Sequence, residues 1–173
     1  MILVLSGSLN PGSRSRILAG ACRERLESAD REVTWFDLAD RPLPFCDGAA
    51  AYGHPTVVEL GEFIETADAI VIASPVYNFD VNAALKNAVE LTGKKWTGKV
   101  VALMLAAGGA GSYMSGMGLA NSLMLDFRCL IVPRFVYATG ESFEGDQLAD
   151  EDIQSRVELL VSETLKLADA LKD

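Results

Sequence analysis

The segment between the first apolar run and the first helical pattern has the composition of an anion-binding loop. It covers residues 6–16, is rich in small and hydroxyl side chains, and contains no acid. A helix beginning at its end would offer free backbone N–H groups and a positive dipole end to a phosphate. The side chains that could add hydrogen bonds or charge are Ser8, Asn10, Ser13, Arg14, Ser15 and Arg16. The alternative is an ordinary loop in which Ser13 or Ser15 caps the helix. The loop has neither the Gly-Lys-Ser/Thr ending of a P-loop nor GxGxxG spacing.

A short turn with aromatic residues follows the third apolar run. It contains, in order, Pro75, Val76, Tyr77 and Asn78. Backbone amides in such a turn could meet the polar edge of a flat ring, and Tyr77 or Phe79 could cover its face. The alternative is that the aromatics plug the sheet edge while Asp80 or Asn82 caps the next helix.

A glycine-rich segment follows the fourth apolar run. Gly108, Gly109 and Gly111 stand among small residues. Glycine lets the backbone approach a ligand closely, and amides here could face an edge of the ring where negative charge grows on reduction. A flexible glycine hinge is the alternative.

Five apolar runs alternate with helical patterns, and together they determine where these loops lie. The predicted strands are residues 1–6, 32–37, 69–73, 99–107 and 129–137, and the last helix covers about 150–171. Strict alternation of buried strands with helices predicts an α/β fold, a doubly wound five-stranded parallel sheet with helices on both faces. The commonest strand order for such a sheet is 2-1-3-4-5. Residues 1–173 are therefore expected to form a single domain.

In this order, strands 1, 3 and 4 are neighbours, and the three unusual loops follow these strands. Ligands of such sheets bind outside the carboxyl ends of the strands, near the point where the strand order reverses. The three loops are therefore expected to meet at one rim.

Composition excludes several other classes of protein. The net charge of −9 argues against nucleic-acid and anionic-membrane partners. No apolar run is long enough to span a bilayer, and no signal-peptide pattern opens the chain, so we expect a cytoplasmic protein.

The few cysteines and the single histidine argue against disulfide and metal sites. Cys22, Cys46 and Cys129 are widely separated, and His54 lies in a predicted loop, so no metal site is predicted. Cys46 is a candidate reactive thiol in the long loop over residues 38–55.

Seven short motifs are spread over nearly the whole chain. They are Gly7-Ser8-Leu9 with Gly12-Ser13, Asp37-Leu38, Pro42-Leu43-Pro44, Pro75-Val76-Tyr77-Asn78, Ala84-Leu85-Lys86-Asn87-Ala88, Gly108-Gly109-Ala110-Gly111 and Val132-Pro133. In this order they resemble the motifs of the NADPH-dependent FMN reductase family. The turn followed by Ala-Leu-Lys-Asn is the most telling. The resemblance implies a flavodoxin-like fold that binds FMN.

The resemblance also implies roles for the three loops. The FMN phosphate would lie at Ser8, Asn10, Ser13 and Ser15, and the ring and ribityl chain along residues 75–78 and Gly108 to Gly111. Many members have Arg where Asn10 stands, so the positive charge would here come from Arg14 or Arg16. Members are usually homodimers or homotetramers.

The implied activity is hydride transfer from NADPH or NADH to the flavin and then to a second small-molecule acceptor, such as free flavin or a quinone. This chemistry belongs to the cofactor, and hydride transfer needs no acid or base from the protein, so the sequence assigns no catalytic residue. The alternative is a flavodoxin-like electron carrier or partner-binding flavoprotein that does not turn over NAD(P)H.

Overall fold

A parallel sheet lies at the centre of the protein in a computed structural model that describes residues 1–172. Its main strands are β1 (Ile2–Ser6), β2 (Val33–Asp37), β3 (Ala69–Tyr77) and β5 (Val100–Ala106), with the short strands β4 (Asp80–Val81), β6 (Leu130–Ile131) and β7 (Val136–Ala138). The order is β2-β1-β3-β5, and both β6 and β7 pair with the outer side of β5. The predicted order 2-1-3-4-5 is confirmed, with β6 and β7 together in the fifth place.

Within the described residues, five α-helices cover both faces of the sheet. They are α1 (Arg14–Ser28), α2 (Pro55–Thr66), α3 (Ala83–Thr92), α4 (Met117–Phe127) and α5 (Glu151–Ala170). Alternate residues of each strand face opposite sides, so Ile2 and Val4 pack towards α1 and α5. Leu3 and Leu5 pack with α2, α3 and α4. Both faces are thus buried, which explains why the strands are continuously apolar.

The predicted fifth strand, residues 129–137, is not continuous, and that prediction is wrong. Val101 pairs with Ile131 and Met104 with Val136, so five steps along this segment match three steps along β5. The two extra residues leave the sheet at Pro133, which has no N–H to donate to a strand partner. The Arg134 N–H then closes a tight turn on the Val132 carbonyl, with a nitrogen–oxygen distance of 2.7 Å.

Two segments outside the five predicted strands form short antiparallel pairs. β3 continues to Tyr77, beyond its predicted end, and turns back as β4. The acidic segment over residues 140–150 contains a hairpin of β8 (Phe143–Glu144) and β9 (Gln147–Leu148). Within residues 1–172, no helix combines the length and the apolar composition needed to cross a bilayer.

Candidate functional site

The loops after β1, β3 and β5 meet at one edge of the sheet around a cleft of about 390 Å³, here called the rim cleft. Its lining residues are Asn10, Gly12, Ser13, Arg14, Pro75, Val76, Tyr77, Ala106, Ala107 and Gly108. The residues predicted for the site therefore come together from three distant parts of the chain. Ser8, Ser15, Asn78, Gly109 and Gly111 belong to the same loops but do not line the cleft.

The first loop is held by its own side chains. Ser8 Oγ accepts a hydrogen bond from the Asn10 N–H at 3.1 Å, and Asn10 Oδ1 accepts one from the Gly12 N–H at 3.0 Å. Ser13 caps α1, because its Oγ accepts from the Ser15 N–H. The Ser13 and Ser15 hydroxyls are also 2.8 Å apart. Ser8 and Ser15 are buried, so their hydroxyls stabilise the loop that presents Ser13 and Arg14.

The two arginines of this loop have different surroundings. Arg16 Nε lies 2.8 Å from Asp37 Oδ2, and Arg16 Nη2 lies 2.8 Å from Asp40 Oδ2. Arg14 is exposed, and within residues 1–172 it has no carboxylate partner. Its guanidinium lies over the Phe143 ring, 5.9 Å from the centroid. Of the two arginines, Arg14 is therefore the one that offers the cleft a positive charge that no described carboxylate compensates.

A backbone position near the other end of the chain makes room for Arg14. A β-carbon added to Gly140 would lie 2.7 Å from Arg14 Nη1, closer than side chains tolerate. Gly140 thus allows the guanidinium to lie where it does. No local pattern predicts this contact, because the two residues are far apart in the chain.

The turn after β3 has a two-residue loop of type I′ form. Tyr77 pairs with Asp80, and the two residues between them, Asn78 and Phe79, have φ of 51° and 64°. Asn tolerates this region better than Phe, for which it is strained. Tyr77 and Phe79 are each 57% exposed. The aromatics therefore stand at the rim and do not plug the sheet edge.

Asn82 joins the first loop to this turn, a role that sequence reasoning missed. Its buried side chain donates from Nδ2 to the Gly7 carbonyl at 2.6 Å, and its Oδ1 lies 3.1 Å from Ser74 Oγ. It makes no side-chain capping bond to α3, in contrast to the alternative considered above. The sequence feature that could have pointed to this role is the position of a polar residue close to the end of a buried strand.

The glycines of the third loop are not required by the protein's own packing. A β-carbon on Gly108, Gly109 or Gly111 would meet nothing within 4 Å, and none of the three has a positive φ. Open space beside a glycine backbone suits a loop that lies against a ligand. A flat, phosphorylated cofactor fits this arrangement, with Arg14 and the start of α1 at one end and bare backbone at the other.

Two thiols with strongly shifted pKa do not line the rim cleft. Burial raises the pKa of Cys22 to about 12, against a weaker opposing effect of Arg25. Burial likewise raises the pKa of Cys129 to about 11.

A second, apolar cavity of about 310 Å³ lies between α4 and the broken fifth strand.

Comparison with known proteins gives consistent matches. Residues 1–144 match the family described as NADPH-dependent FMN reductase. The chain is 31% identical to an NAD(P)H:quinone oxidoreductase of Solanum tuberosum, over 97% of this chain and 92% of that protein. An oxidoreductase from Corynebacterium diphtheriae superposes with a TM-score of 0.81 at 21% identity, covering 99% of this chain and 97% of that one. A flavodoxin, WrbA-like protein from Agrobacterium tumefaciens superposes with a TM-score of 0.68 at 19% identity, covering 99% of this chain and 98% of that one. The predicted flavodoxin-like fold is confirmed.

Proposed function

The chain belongs to the NADPH-dependent FMN reductase family, and from this premise we propose that the rim cleft binds FMN for an NAD(P)H-dependent reductase. Family membership confirms the predicted cofactors, FMN and NAD(P)H, and the predicted oxidoreductase class. The observation that supports the site is the convergence of three loops on a cleft where Arg14 has no acidic partner among residues 1–172.

We propose that the first loop holds the phosphate. Ser13, Arg14 and Asn10 line the cleft there, and the first turn of α1 has no acidic residue. Helix N-termini favour anions through free N–H groups and the helix dipole, and an arginine adds charge-assisted hydrogen bonds. Ser8 and Ser15 support this loop from beneath, through bonds that keep its backbone in place.

We propose that the other two loops hold the ring. Pro75, Val76, Tyr77 and Asn78 would line one side, and Gly108 and Gly109 would approach with bare backbone, followed by Gly111. When bound, FMN supplies the chemistry of accepting a hydride and passing electrons on. The protein orients the ring, exposes one face to substrates at the open edge of the cleft, and places N–H donors where negative charge grows.

The activity is tested by anaerobic mixing of the FMN-loaded protein with NADPH or NADH. We expect either nucleotide to bleach the flavin absorbance, and a quinone or free flavin added afterwards to restore it. A flavin that dithionite bleaches but neither nucleotide reduces would contradict a reductase and indicate the electron carrier.

The phosphate site is tested with a matched pair of variants. Arg14→Ala should weaken FMN binding roughly tenfold, because one charge-assisted contact is lost, and the loss should shrink at high salt. Arg16→Ala should change FMN affinity much less, because that side chain is already paired with Asp37 and Asp40. Fluorescence titrations give both affinities.

Riboflavin, which lacks the phosphate, is the ligand control for this experiment. Its affinity should be the same in the wild type and in Arg14→Ala. An equal loss of affinity for riboflavin and FMN, or equal losses in the two variants, would contradict a phosphate contact by Arg14.

We further propose that residues 1–173 form one FMN-binding domain that works as a homodimer or homotetramer in the cytoplasm, where NAD(P)H is supplied. One sheet with helices on both faces supports the single domain. Apolar side chains exposed on and before α4 support association: Tyr113, Met114, Met117, Met124 and Leu125. The acceptor we propose is a quinone or free flavin, in line with the named activity of the potato relative.

A further inference from the structure

A tyrosine outside the rim cleft holds the glycine loop by its carbonyl. Tyr137 Oη donates to the Gly109 carbonyl oxygen, with an oxygen–oxygen distance of 2.5 Å. Among the described residues, a β-carbon added to Gly109 would meet no atom within 4 Å beyond the neighbouring residues of the chain. The orientation of its peptide therefore depends on contacts such as this one.

The phenol of Tyr137 is itself fixed from two sides. Its backbone pairs with Leu105 in the sheet, and its ring packs on Tyr113 in an edge-to-face arrangement with centroids 5.5 Å apart. Tyr113 in turn packs against Phe135, at 5.1 Å. A side chain held by a strand and by a ring cluster presents its hydroxyl in one direction.

The hydrogen bond from Tyr137 to the Gly109 carbonyl also determines where the N–H of the same peptide points. The carbonyl and the N–H of a trans peptide point in opposite directions. A Gly109 carbonyl directed at Tyr137 therefore directs the Ala110 N–H away from Tyr137. β7, the strand that contains Tyr137, lies on one side of β5, and β3 with the ring-binding turn lies on the other.

We propose that Tyr137 is a positioning residue that aims and polarises the Gly109–Ala110 peptide, so that the Ala110 N–H donates to the pyrimidine edge of the reduced flavin. The inference rests on the proposed FMN site and adds a residue that sets the redox properties of the flavin. A donor to the carbonyl strengthens the N–H of the same peptide, because hydrogen bonds in series polarise one another. Negative charge grows at this ring edge on reduction, so the contact favours reduced over oxidised FMN.

The decisive variant is Tyr137→Phe, which keeps the ring packing and removes only the hydroxyl. We expect the ratio of the dissociation constants for reduced and oxidised FMN to rise about threefold to tenfold. A tenfold change in this ratio equals about 30 mV in the two-electron potential, which becomes more negative. If Tyr137 served only to fold the loop, the variant would bind reduced and oxidised FMN more weakly by the same factor, and the flavin potential would not change. That result would overturn the proposal.

Tyr113→Phe is the matched control, because it removes a hydroxyl from the same ring cluster. Within the described residues that hydroxyl has no hydrogen-bond partner, so the flavin potential should not move. An equal shift of the potential in both variants would attribute the effect to the cluster and overturn a specific role for Tyr137.

A measurement without flavin separates this inference from the proposed function. In the apoprotein, Tyr137→Phe should shift the amide resonance of Ala110, while Tyr113→Phe should not. An unchanged Ala110 resonance would overturn the hydrogen bond itself. If Tyr137→Phe shifts the Ala110 resonance but the wild-type protein fails to bind FMN, the hydrogen bond stands and the proposed function is refuted.

Discussion

Asn82 is the residue whose buried contacts connect two of the three loops. Its amide serves the Gly7 carbonyl and the Ser74 hydroxyl. Truncation removes the donor to the buried Gly7 carbonyl, whereas Ser74 Oγ keeps its bonds to the Pro75 carbonyl and the Asn82 N–H. We expect Asn82→Ala to lower the free energy of unfolding by about 1–3 kcal/mol and to weaken FMN binding as well. Urea denaturation and FMN titration measure the two effects.

Asn87→Ala is the control for this prediction. Its side chain bonds the Pro44 carbonyl and the Cys46 N–H, and thus holds a loop that does not line the rim cleft. It should lower stability without changing FMN affinity. Loss of FMN affinity in both variants would show that general destabilisation, and not the loop connection, is responsible.

The three thiols should react very differently. Cys22 and Cys129 are buried with raised pKa, so they stay protonated and inaccessible at pH 8. Cys46 is partly exposed, with its sulfur 3.7 Å from Tyr52 Oη. We expect one rapid equivalent with a thiol reagent in the native protein and three after unfolding. More than one rapid thiol, or a rapid thiol remaining in Cys46→Ser, would contradict this burial pattern.

Most residues that line the candidate site were predicted from the sequence, but the contacts that distinguish their roles were not. Arg14 and Arg16 look equivalent in the loop, and only the fold shows that Asp37 and Asp40 pair with Arg16. Tyr137 and Gly140 gave no signal, because each acts on a residue distant in the chain. Contacts of this kind depend on how the elements pack, which local spacing does not encode.

Among the elements, the segment before β8 controls the position of Arg14. Gly140→Ala should push the guanidinium aside, since the new β-carbon would lie 2.7 Å from Nη1. We expect weaker FMN binding, by no more than the loss in Arg14→Ala. Because the two changes act on one side chain, Gly140→Ala should add nothing in an Arg14→Ala background.

Gly53→Ala is the matched control, because a β-carbon there meets nothing within 4 Å and the loop is remote from the rim cleft. FMN affinity should stay at the wild-type value. Full additivity of Gly140→Ala and Arg14→Ala would contradict the steric link.

Element types were predictable where burial makes the pattern simple. β1, β3 and β5 are covered on both faces, so their runs are continuously apolar. The fifth strand is equally apolar in sequence, yet it leaves the sheet at Pro133 because its register with β5 changes by two residues. Register depends on the neighbouring strand, and no single-segment pattern reports it.

For the molecule as a whole, the strand order followed from strict alternation of strands and helices, because right-handed crossovers leave few arrangements. The association of chains into an oligomer does not follow from this alternation of strands and helices. Three apolar side chains of α4 are exposed in the single chain, namely Met117, Met124 and Leu125. Exposed apolar patches commonly mark interfaces between subunits.

Light scattering tests the proposed association. We expect the wild type to have two or four times the mass of one chain, and Leu125→Glu to shift the equilibrium towards the monomer. A carboxylate buried at an apolar interface without a partner is costly, whereas it costs little on a free surface. A wild type that is monomeric at all concentrations would contradict the proposed oligomer.

The most direct test of the FMN site is a titration of the ¹⁵N-labelled protein with FMN, followed by amide resonances. The account predicts that the largest shifts fall together in residues 8–15, 75–78 and 108–111, and that the phosphate-free ligand riboflavin leaves the first of these groups nearly unshifted. Shifts confined to one of the three loops, or centred on the apolar cavity beside α4, would contradict it.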